Sequence, residues 1–405
     1  MAKPSILLLG FTVPDAVAQH LFALDVNPAA QTHKFAWSLV RALQSGFGKV
    51  VLASTYPIQN YPLGRKILFR NARFEEQGTE GVLLGFINLL VFKHLTRFFT
   101  CLLSVPRLMI HHRVDWLFIH GVHTPFLVFG LLARLFGRKL AVVLTDSPGV
   151  LRPTDGRLDR FLKRLDVRLV GWALAHADAV IALAPELVNR FAMRKPALVF
   201  PGILDSTLTT RIAKINLPSK STEPFTLVYA GGLSRANGVN RLLDAVAGLE
   251  GQPVRLKLFG RGDQEPRIRN LAATDPRFQY GGFVGNDQLI PELHSADLLV
   301  NPRPTREAFA VMSFPSKLIE YLAMGRPVLT TRIASIPENY QPHFFFINDE
   351  SAEGIRDAIL SIMIMNPTER EAKALHGQAF INAEASEAVV GHKIADLIRT
   401  SSLIR

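Results

Sequence analysis

Cysteine is almost missing from this chain of 405 residues: Cys101 is the single copy. That excludes a disulfide framework and a multi-cysteine metal site, and it fits a reducing compartment. Other signatures are missing as well. No H-E-x-x-H zinc motif and no G-x-S-x-G elbow occurs, and Cys101 lies in no recognisable nucleophile signature. The most membrane-like segment, Gly81 to Ile110, has an apolar run that ends at Lys93, too short to span a bilayer. Carboxylates are scarce against bases, 34 Asp and Glu to 46 Lys and Arg, leaving a net charge of +12. Such an excess points to a polyanionic partner: nucleic acid, an anionic membrane surface or a phosphorylated substrate. Bases are not interleaved with aromatics as in RNA-binding sheets, which counts against nucleic acid.

What is present is a large apolar fraction, 48%, enough for a sizeable core and incompatible with disorder. The length exceeds what one core usually supports, so two domains are expected. Apolar runs of strand length alternate with helical patterns. In the first half they predict strands at Ser5–Leu9, Val50–Ala53, Trp116–Ile119, Leu140–Leu144, Ala179–Leu183 and Leu198–Phe200, with helices such as His33–Leu43 and Arg157–Ala175 between them. The N-terminal KPSILLLGF reads as a buried first strand and not as a signal peptide. Continuous rather than alternating hydrophobicity predicts parallel sheets covered on both faces.

The Ser-, Thr-, Lys- and Pro-rich stretch Asp205–Phe225 reads as a linker. After it the alternation restarts with TLVYA, RLKLF, FQYGGFV, DLLVNP, PVLTT and FFFIN. The expectation is an α/β chain of two tandem Rossmann-like, doubly wound domains facing each other across a cleft. They would occupy 1–204 and 225–385, joined by a linker at 205–224, with a C-terminal helix at 386–405 that can pack back on the first domain. Ligands belong at the carboxyl ends of strands.

Two loops of the second half could carry chemistry. TLVYA runs into Gly231-Gly232-Leu233-Ser234-Arg235-Ala236-Asn237-Gly238 and then a helix, so backbone N–H groups there are open to an anion. It is neither the G-x-G-x-x-G pattern nor a Walker loop, and a plain turn explains it equally well. SFPSKLIEYLAMGRPVLTT, Ser313–Thr331, joins a Pro-Ser-Lys turn to a helix stopped by Gly325 and Pro327. Leu318 and Leu322 face the core, whereas Ser316 and Glu320 share another side with Lys317 next to them. A hydroxyl and an ammonium followed one turn later by a carboxylate match the phosphates and ribose of a nucleoside diphosphate. An ordinary surface pair of Lys317 and Glu320 matches as well. Arg261, Arg303, Arg306 and Glu307 also follow strands. The first half offers His120 and His123 after WLFI, and Thr145-Asp146 after AVVL, as a base, a sugar ligand or a turn cap. On Gly81–Ile110, Lys93 and Arg97 share one helical face, with Phe92, Leu95, Phe99 and Leu102 mostly opposite. Two readings stand: an interfacial helix at a membrane, or a surface helix with a basic outer face.

LVYAGGLSRANGVNRLLDA, KLFGRGD, FVGNDQLIPELHSADLLVNPRP and SFPSKLIEYLAMGRPVLTT, in this order and spacing, resemble the C-terminal domain of family-4 glycosyltransferases, the retaining group 1 type with the GT-B fold, in its Pro-Ser-Lys subgroup. DWLFIHGVHTP, AVVLTD and ALAHADAVIALAPELVNRF look like that family's acceptor domain. The resemblance implies retaining transfer of a sugar from a nucleotide-diphosphate donor, with no metal or other cofactor, to a glycan or a polyprenyl-diphosphate-linked acceptor. The leading reading is a cytoplasmic protein at the inner face of the cell membrane, brought to anionic lipid by its basic surface and the Gly81–Ile110 segment. Gly231, Gly232, Ser234, Asn237 and Gly238 would lie by the diphosphate, Ser316 and Lys317 on its oxygens, Glu320 on the ribose, and Phe283 and Val284 beside the base. Arg261, Arg303 and Glu307 complete the donor set, and His120, Asp146 and Lys317 the catalytic one.

Three features depart from the family pattern. Met312 stands where the first of two glutamates is usual, so Glu307 or Arg303 would make its contact. Gly232 and Asn237 stand where Arg and Lys are common, with Lys317 taking over their charge. Thr145 replaces the histidine of a His-Asp pair. Two other readings stay open: a nucleotide-sugar epimerase or phosphorylase on the same fold and, given Met312 and Thr145, a catalytically silent glycan-binding or accessory subunit. A NAD-dependent dehydrogenase ranks last, because the glycine fingerprint is missing after Leu9.

Overall fold

The computed structural model describes residues 3–25, 30–145, 147–149, 156–215, 224–307, 310 and 312–403; Asp146 lies outside them, as do residues 216–223 of the stretch read as a linker. Two compact units are present, one of Met1–Ile203 with Glu387–Arg405, the other of Leu204–Ser386.

The first unit runs β1 (Ser5–Gly10), α1 (Asp15–Leu24), α2 (Ala30–Gly46), β2 (Lys49–Thr55), β3 (Leu68–Phe69), β4 (Ala72–Glu76), β5 (Thr79–Leu84), β6 (Phe86–Ile87), α3 (Leu90–His111), β7 (Trp116–His120), α4 (Thr124–Leu135), β8 (Lys139–Leu144), α5 (Arg157–Ala175), β9 (Ala179–Ala182), α6 (Pro185–Phe191) and β10 (Ala197–Val199). The second runs α7 (Ser206–Ala213), β11 (Phe225–Ala230), α8 (Val239–Ala247), β12 (Val254–Phe259), α9 (Glu265–Thr274), β13 (Phe278–Gly282), α10 (Asn286–Ser295), β14 (Leu298–Asn301), α11 (Lys317–Ala323), β15 (Val328–Thr331), β16 (Phe345–Ile347), α12 (Ala352–Ile364) and α13 (Pro367–Ala385). The last helix, α14 (Glu387–Leu403), returns to the first unit.

Eight strands of the first unit form a sheet in the order β10-β9-β8-β7-β1-β2-β5-β4, parallel except for the edge pair β4–β5. Ile6, Leu7, Leu8 and Leu9 are all fully buried, as a central strand covered on both faces requires. On one face Trp37, Val40 and Leu43 of α2 pack with Val390, Ile394 and Ile398 of α14 over β1 and β7. Arg41 holds the start of α14 by donating to Glu387 at 2.6 Å. The second sheet is β13-β12-β11-β14-β15-β16, parallel throughout. The order reverses between β11 and β14, so the carboxyl ends of these two strands flank the topological switch point, where doubly wound sheets hold ligands.

Two expectations are corrected. The stretch from Asp205 begins with α7, because Asp205 caps it by accepting from the Thr207 N–H at 2.8 Å, and Leu204 and Leu208 join the core of the second unit. The Gly81–Ile110 segment is not one helical run: β5 and β6 take its first part and α3 starts at Leu90. The antiparallel β4–β5 pair was unforeseen because ARFEEQGTE has no apolar alternation on its exposed edge. Among the described residues no helix is long and apolar enough to cross a membrane.

The basic outer face expected for α3 is also overturned. Lys93 and Arg97 are 5% and 3% exposed and point inward. Lys93 donates to the Ile58 carbonyl at 2.6 Å and to Asn60 Oδ1 at 3.0 Å. Arg97 donates to the Tyr56 carbonyl at 2.8 Å and lies 4.0 Å over the Phe86 ring. The two cations therefore fasten the loop after β2 to the helix. Burial, with Arg97 adding to it, pushes Lys93 down to about 7. The outward face of α3 is left to Phe92, Leu95, Phe99, Leu102, Leu103 and Ile110, all exposed.

Candidate active site

The second unit gathers its polar groups at the switch point. After β11 the chain turns through Gly231 at φ +149° and Gly232, then enters a single 3-10 turn whose N-terminal Ser234 accepts from the Asn237 N–H. Gly238, at φ +76°, reverses the backbone into α8. The loop is held from inside: Tyr229 donates to the Gly232 carbonyl at 2.8 Å, and the Asn237 amide donates to the same carbonyl at 2.9 Å and to the Ser234 hydroxyl at 3.0 Å. Side chains and carbonyls thus satisfy one another, and the loop keeps a single shape.

Lys317 opens α11 and reaches across to β11. Its Nζ lies 3.3 Å from the Tyr229 hydroxyl and 4.5 Å above the Tyr229 ring. It also fills the space where a side chain at Gly231 would stand, since a Cβ there would meet Nζ at 2.0 Å. What requires glycine at Gly231 is its backbone, at φ +149°. Arg303, at the end of β14, is buried and donates to the Ser313 carbonyl at 3.3 Å. The hydroxyl of Thr331 donates to the carbonyl of Arg303 and fixes its backbone.

Burial pushes Lys317 down to about 8, with Arg303 adding to the shift and Glu320 opposing it. Burial likewise pushes Arg303 down to about 10, against Tyr229 and Glu307. Two cations therefore share one partly desolvated place, and an anion arriving there would relieve both.

The remaining donor candidates lie around this centre. Arg261 follows β12; its carbonyl accepts from the Leu233 N–H at 2.8 Å, and its guanidinium lies 5.0 Å from the Phe283 ring centre. Phe283 is 69% exposed after β13, an aromatic platform open to solvent, whereas Val284 packs against the core. Ser316 is exposed at the start of α11 and caps nothing. Glu320 is partly buried one turn further on, and Leu318 and Leu322 are buried as expected.

The first unit holds the other catalytic candidates. His120 ends β7 with 1% of its surface exposed, and its ring centre lies 5.4 Å from that of Phe35. Burial pushes it down to about 4, so at neutral pH it is an uncharged imidazole. Among the described residues its Nδ1 has no hydrogen-bond partner. His123 packs beside Phe126 and Phe11, and Arg97 lies 3.4 Å from its Nε2. Asp146 lies outside the described residues.

Tyr321 escaped the sequence reading. It is buried in α11, and its hydroxyl accepts from the Ala230 N–H at 2.9 Å, which bolts the lysine-bearing helix to the last residue of β11. The signal was a tyrosine on an otherwise apolar helix face, since a buried phenol has to find a partner. Tyr321→Phe is expected to leave that N–H unpaired and to cost about 1–3 kcal/mol in urea denaturation; an unchanged midpoint would show that the bolt carries no stability.

Comparisons with known proteins bear on the fold. Residues 224–364 match the family model for glycosyl transferases group 1. A comparison with curated proteins finds no match. Solved structures match along almost the whole chain. Sucrose-phosphate synthase from Thermosynechococcus elongatus superposes with a TM-score of 0.68 at 16% identity, covering 99% of this chain and 100% of that one. Anabaena Alr3699/HepE, in complex with UDP-glucose, gives 0.58 at 14% identity over 98% and 99%. The α,α-trehalose 6-phosphate synthase of Burkholderia multivorans gives 0.63 at 12% identity over 99% and 98%. The chain therefore has the α/β fold of the GT-B glycosyltransferase structures, with parallel Rossmann-like sheets, and its second unit holds the residues that match the glycosyl transferases group 1 model.

Proposed function

We propose that the protein is a retaining glycosyltransferase of the family-4, Pro-Ser-Lys type. It moves a hexosyl unit from a nucleotide-diphosphate sugar to a glycan or polyprenyl-diphosphate-linked acceptor in polysaccharide or lipid-linked glycan assembly. One observation carries the reading: the Lys317 ammonium lies against Gly231, with Arg303 beside it, at the switch point of the sheet. A diphosphate is the ligand that suits two crowded cations in a glycine loop. HepE is known in complex with UDP-glucose, and that complex supports a nucleotide sugar as donor.

In this reading Lys317 and Ser316 bind the diphosphate oxygens, Glu320 accepts from the ribose hydroxyls, and the base lies by Phe283 and Arg261. Glu307 and Arg303 face the donor sugar in place of the carboxylate that Met312 lacks. The glycosidic bond to phosphate breaks as the acceptor oxygen bonds to the same face of the anomeric carbon, and the acceptor proton passes to a phosphate oxygen. Lys317 stabilises the charge that grows on the leaving group. His120 and Asp146 serve the transferred sugar or the acceptor. The protein works in the cytoplasm against the inner face of the membrane, held there by the apolar outward stripe of α3 and the basic surface.

Thermal denaturation with a panel of nucleotide sugars tests the donor site. The correct donor at 100 times its Kd should stabilise by about 2.7 kcal/mol, and Glu320→Ala should abolish that shift. No shift with any nucleotide sugar, together with no transfer or hydrolysis, would remove the enzyme reading. Turnover of a nucleotide sugar without any acceptor would favour the epimerase.

A further inference from the structure

We infer that α5 is a second membrane-inserting element, so that the first unit docks on an anionic bilayer through a layer of three helices rather than through α3 alone. The inference rests on the membrane-surface reading above and goes beyond it in naming the elements and residues that enter the lipid.

Among the described residues, every exposed large apolar side chain lies in the first unit except Phe283, Ile364 and Leu375. Helix α4 packs between α3 and α5, and the apolar exposure continues from one to the next. On α5, Phe161, Leu165, Leu169 and Trp172 are all exposed. At 100° per residue they fall within an arc of about 80°, a single stripe along the helix. At the far end of α4, Leu135 and Phe136 stand 81% and 83% exposed.

The charge pattern names the partner. Arg160, Arg164 and Arg168 are exposed and run along one border of the α5 stripe, where long cationic side chains reach headgroups while their stems cover apolar surface. Helices α3 and α4 contain no acidic residue, and α5 has two, Asp159 and Asp166, of which Asp166 is turned inward to accept from the Thr124 hydroxyl. The layer therefore presents apolar side chains edged by arginines, which fits acyl chains beneath anionic headgroups. A protein partner has no such requirement for a row of arginines along the border of the stripe.

The chain carries its own probe. Of its three tryptophans, Trp37 and Trp116 are 3% exposed, whereas Trp172 is 56% exposed on the α5 stripe. The full-length protein is mixed with phosphatidylcholine vesicles with or without phosphatidylglycerol, with and without bromine atoms in the acyl chains. With anionic vesicles the emission should shift to the blue and be quenched by the acyl-chain bromines, and Trp172→Phe should lose both responses. Arg164→Gln with Arg168→Gln should weaken partitioning by on the order of 30-fold, at about 1 kcal/mol per arginine. Co-sedimentation with vesicles while Trp172 emission stays unchanged would overturn the α5 inference and leave α3 as the anchor. Absence of co-sedimentation at low salt would overturn both. A blue shift that grows with protein concentration without lipid, with dimers in light scattering, would assign the face to a second copy of the chain.

Discussion

Replacing Lys317 with methionine is expected to lower kcat by about 10²–10³-fold, the usual loss when one preorganised donor to a developing anion is removed, while Tm stays level or rises. The two outcomes have one cause. Lys317 keeps its ammonium in a place where burial and Arg303 both oppose the charge, pushing it down to about 8. In the unliganded protein that is a cost, and an apolar side chain of similar length relieves it. The sign of the pH dependence follows. The folded value lies below the ordinary 10.5, so between about 8 and 10.5 the unfolded chain binds more protons, and unliganded stability rises with pH across that window. Donor binding runs the opposite way. A diphosphate needs the ammonium, so above about pH 8 the free protein must take up a proton to bind, and Kd should increase by up to about tenfold per pH unit. Titration calorimetry in buffers of different ionisation enthalpy reads that proton directly. Lys317→Met should bind the donor more weakly and with no proton uptake. If the variant keeps both the proton and the affinity, Lys317 is not the diphosphate ligand.

How far this arrangement was legible in the sequence depended on range. The strands were readable because a central parallel strand has to be apolar on both sides, and short runs such as Ile6–Leu9, followed soon by Gly10 and Pro14, suit one. The Pro-Ser-Lys helix was readable because Gly325 and Pro327 end it. Sequence could place Lys317 beside Ser316 and Glu320 in a turn, but not against Gly231: that contact depends on the sheet order, which sets α11 next to β11 across the switch point. Helix α3 shows a different limit. Periodicity correctly separated Lys93 and Arg97 from Phe92 and Phe99, yet a two-faced helix does not say which face is inside. The usual rule puts charge outside. Here the Tyr56 and Ile58 carbonyls offer the cations better partners than the apolar side chains could find, and the helix is reversed. The same limit applies to α5: its helix, Arg157–Ala175, was readable, but the exposed apolar stripe beside its arginines was not.

Gly238→Ala should be the most destabilising substitution in the site, by roughly 2–4 kcal/mol, combining left-handed backbone strain with overpacking. Gly238 sits at φ +76°, where a Cβ is disfavoured, and that Cβ would lie 1.9 Å from the carbonyl oxygen of Pro302 and 2.8 Å from its carbon. Neither atom belongs to a flexible side chain, so the backbone after β14 has to move. Gly251 separates the two contributions. It has almost the same φ, +75°, with nothing within 4 Å of its would-be Cβ, so Gly251→Ala should carry the backbone cost alone, about 1 kcal/mol. The excess at Gly238 is then the price of the close approach between the glycine loop and Pro302. Equal losses in urea denaturation would show that the approach does not matter. Function supplies a second readout. Arg303 follows Pro302 directly, so pushing that backbone away shifts the buried guanidinium relative to Lys317, and Gly238→Ala should weaken donor binding even at temperatures where it remains fully folded. Gly251→Ala should leave binding unchanged. A Gly238→Ala protein that is destabilised but binds the donor normally would separate the loop's structural role from the ligand site, and the contact with Pro302 would then matter for folding alone.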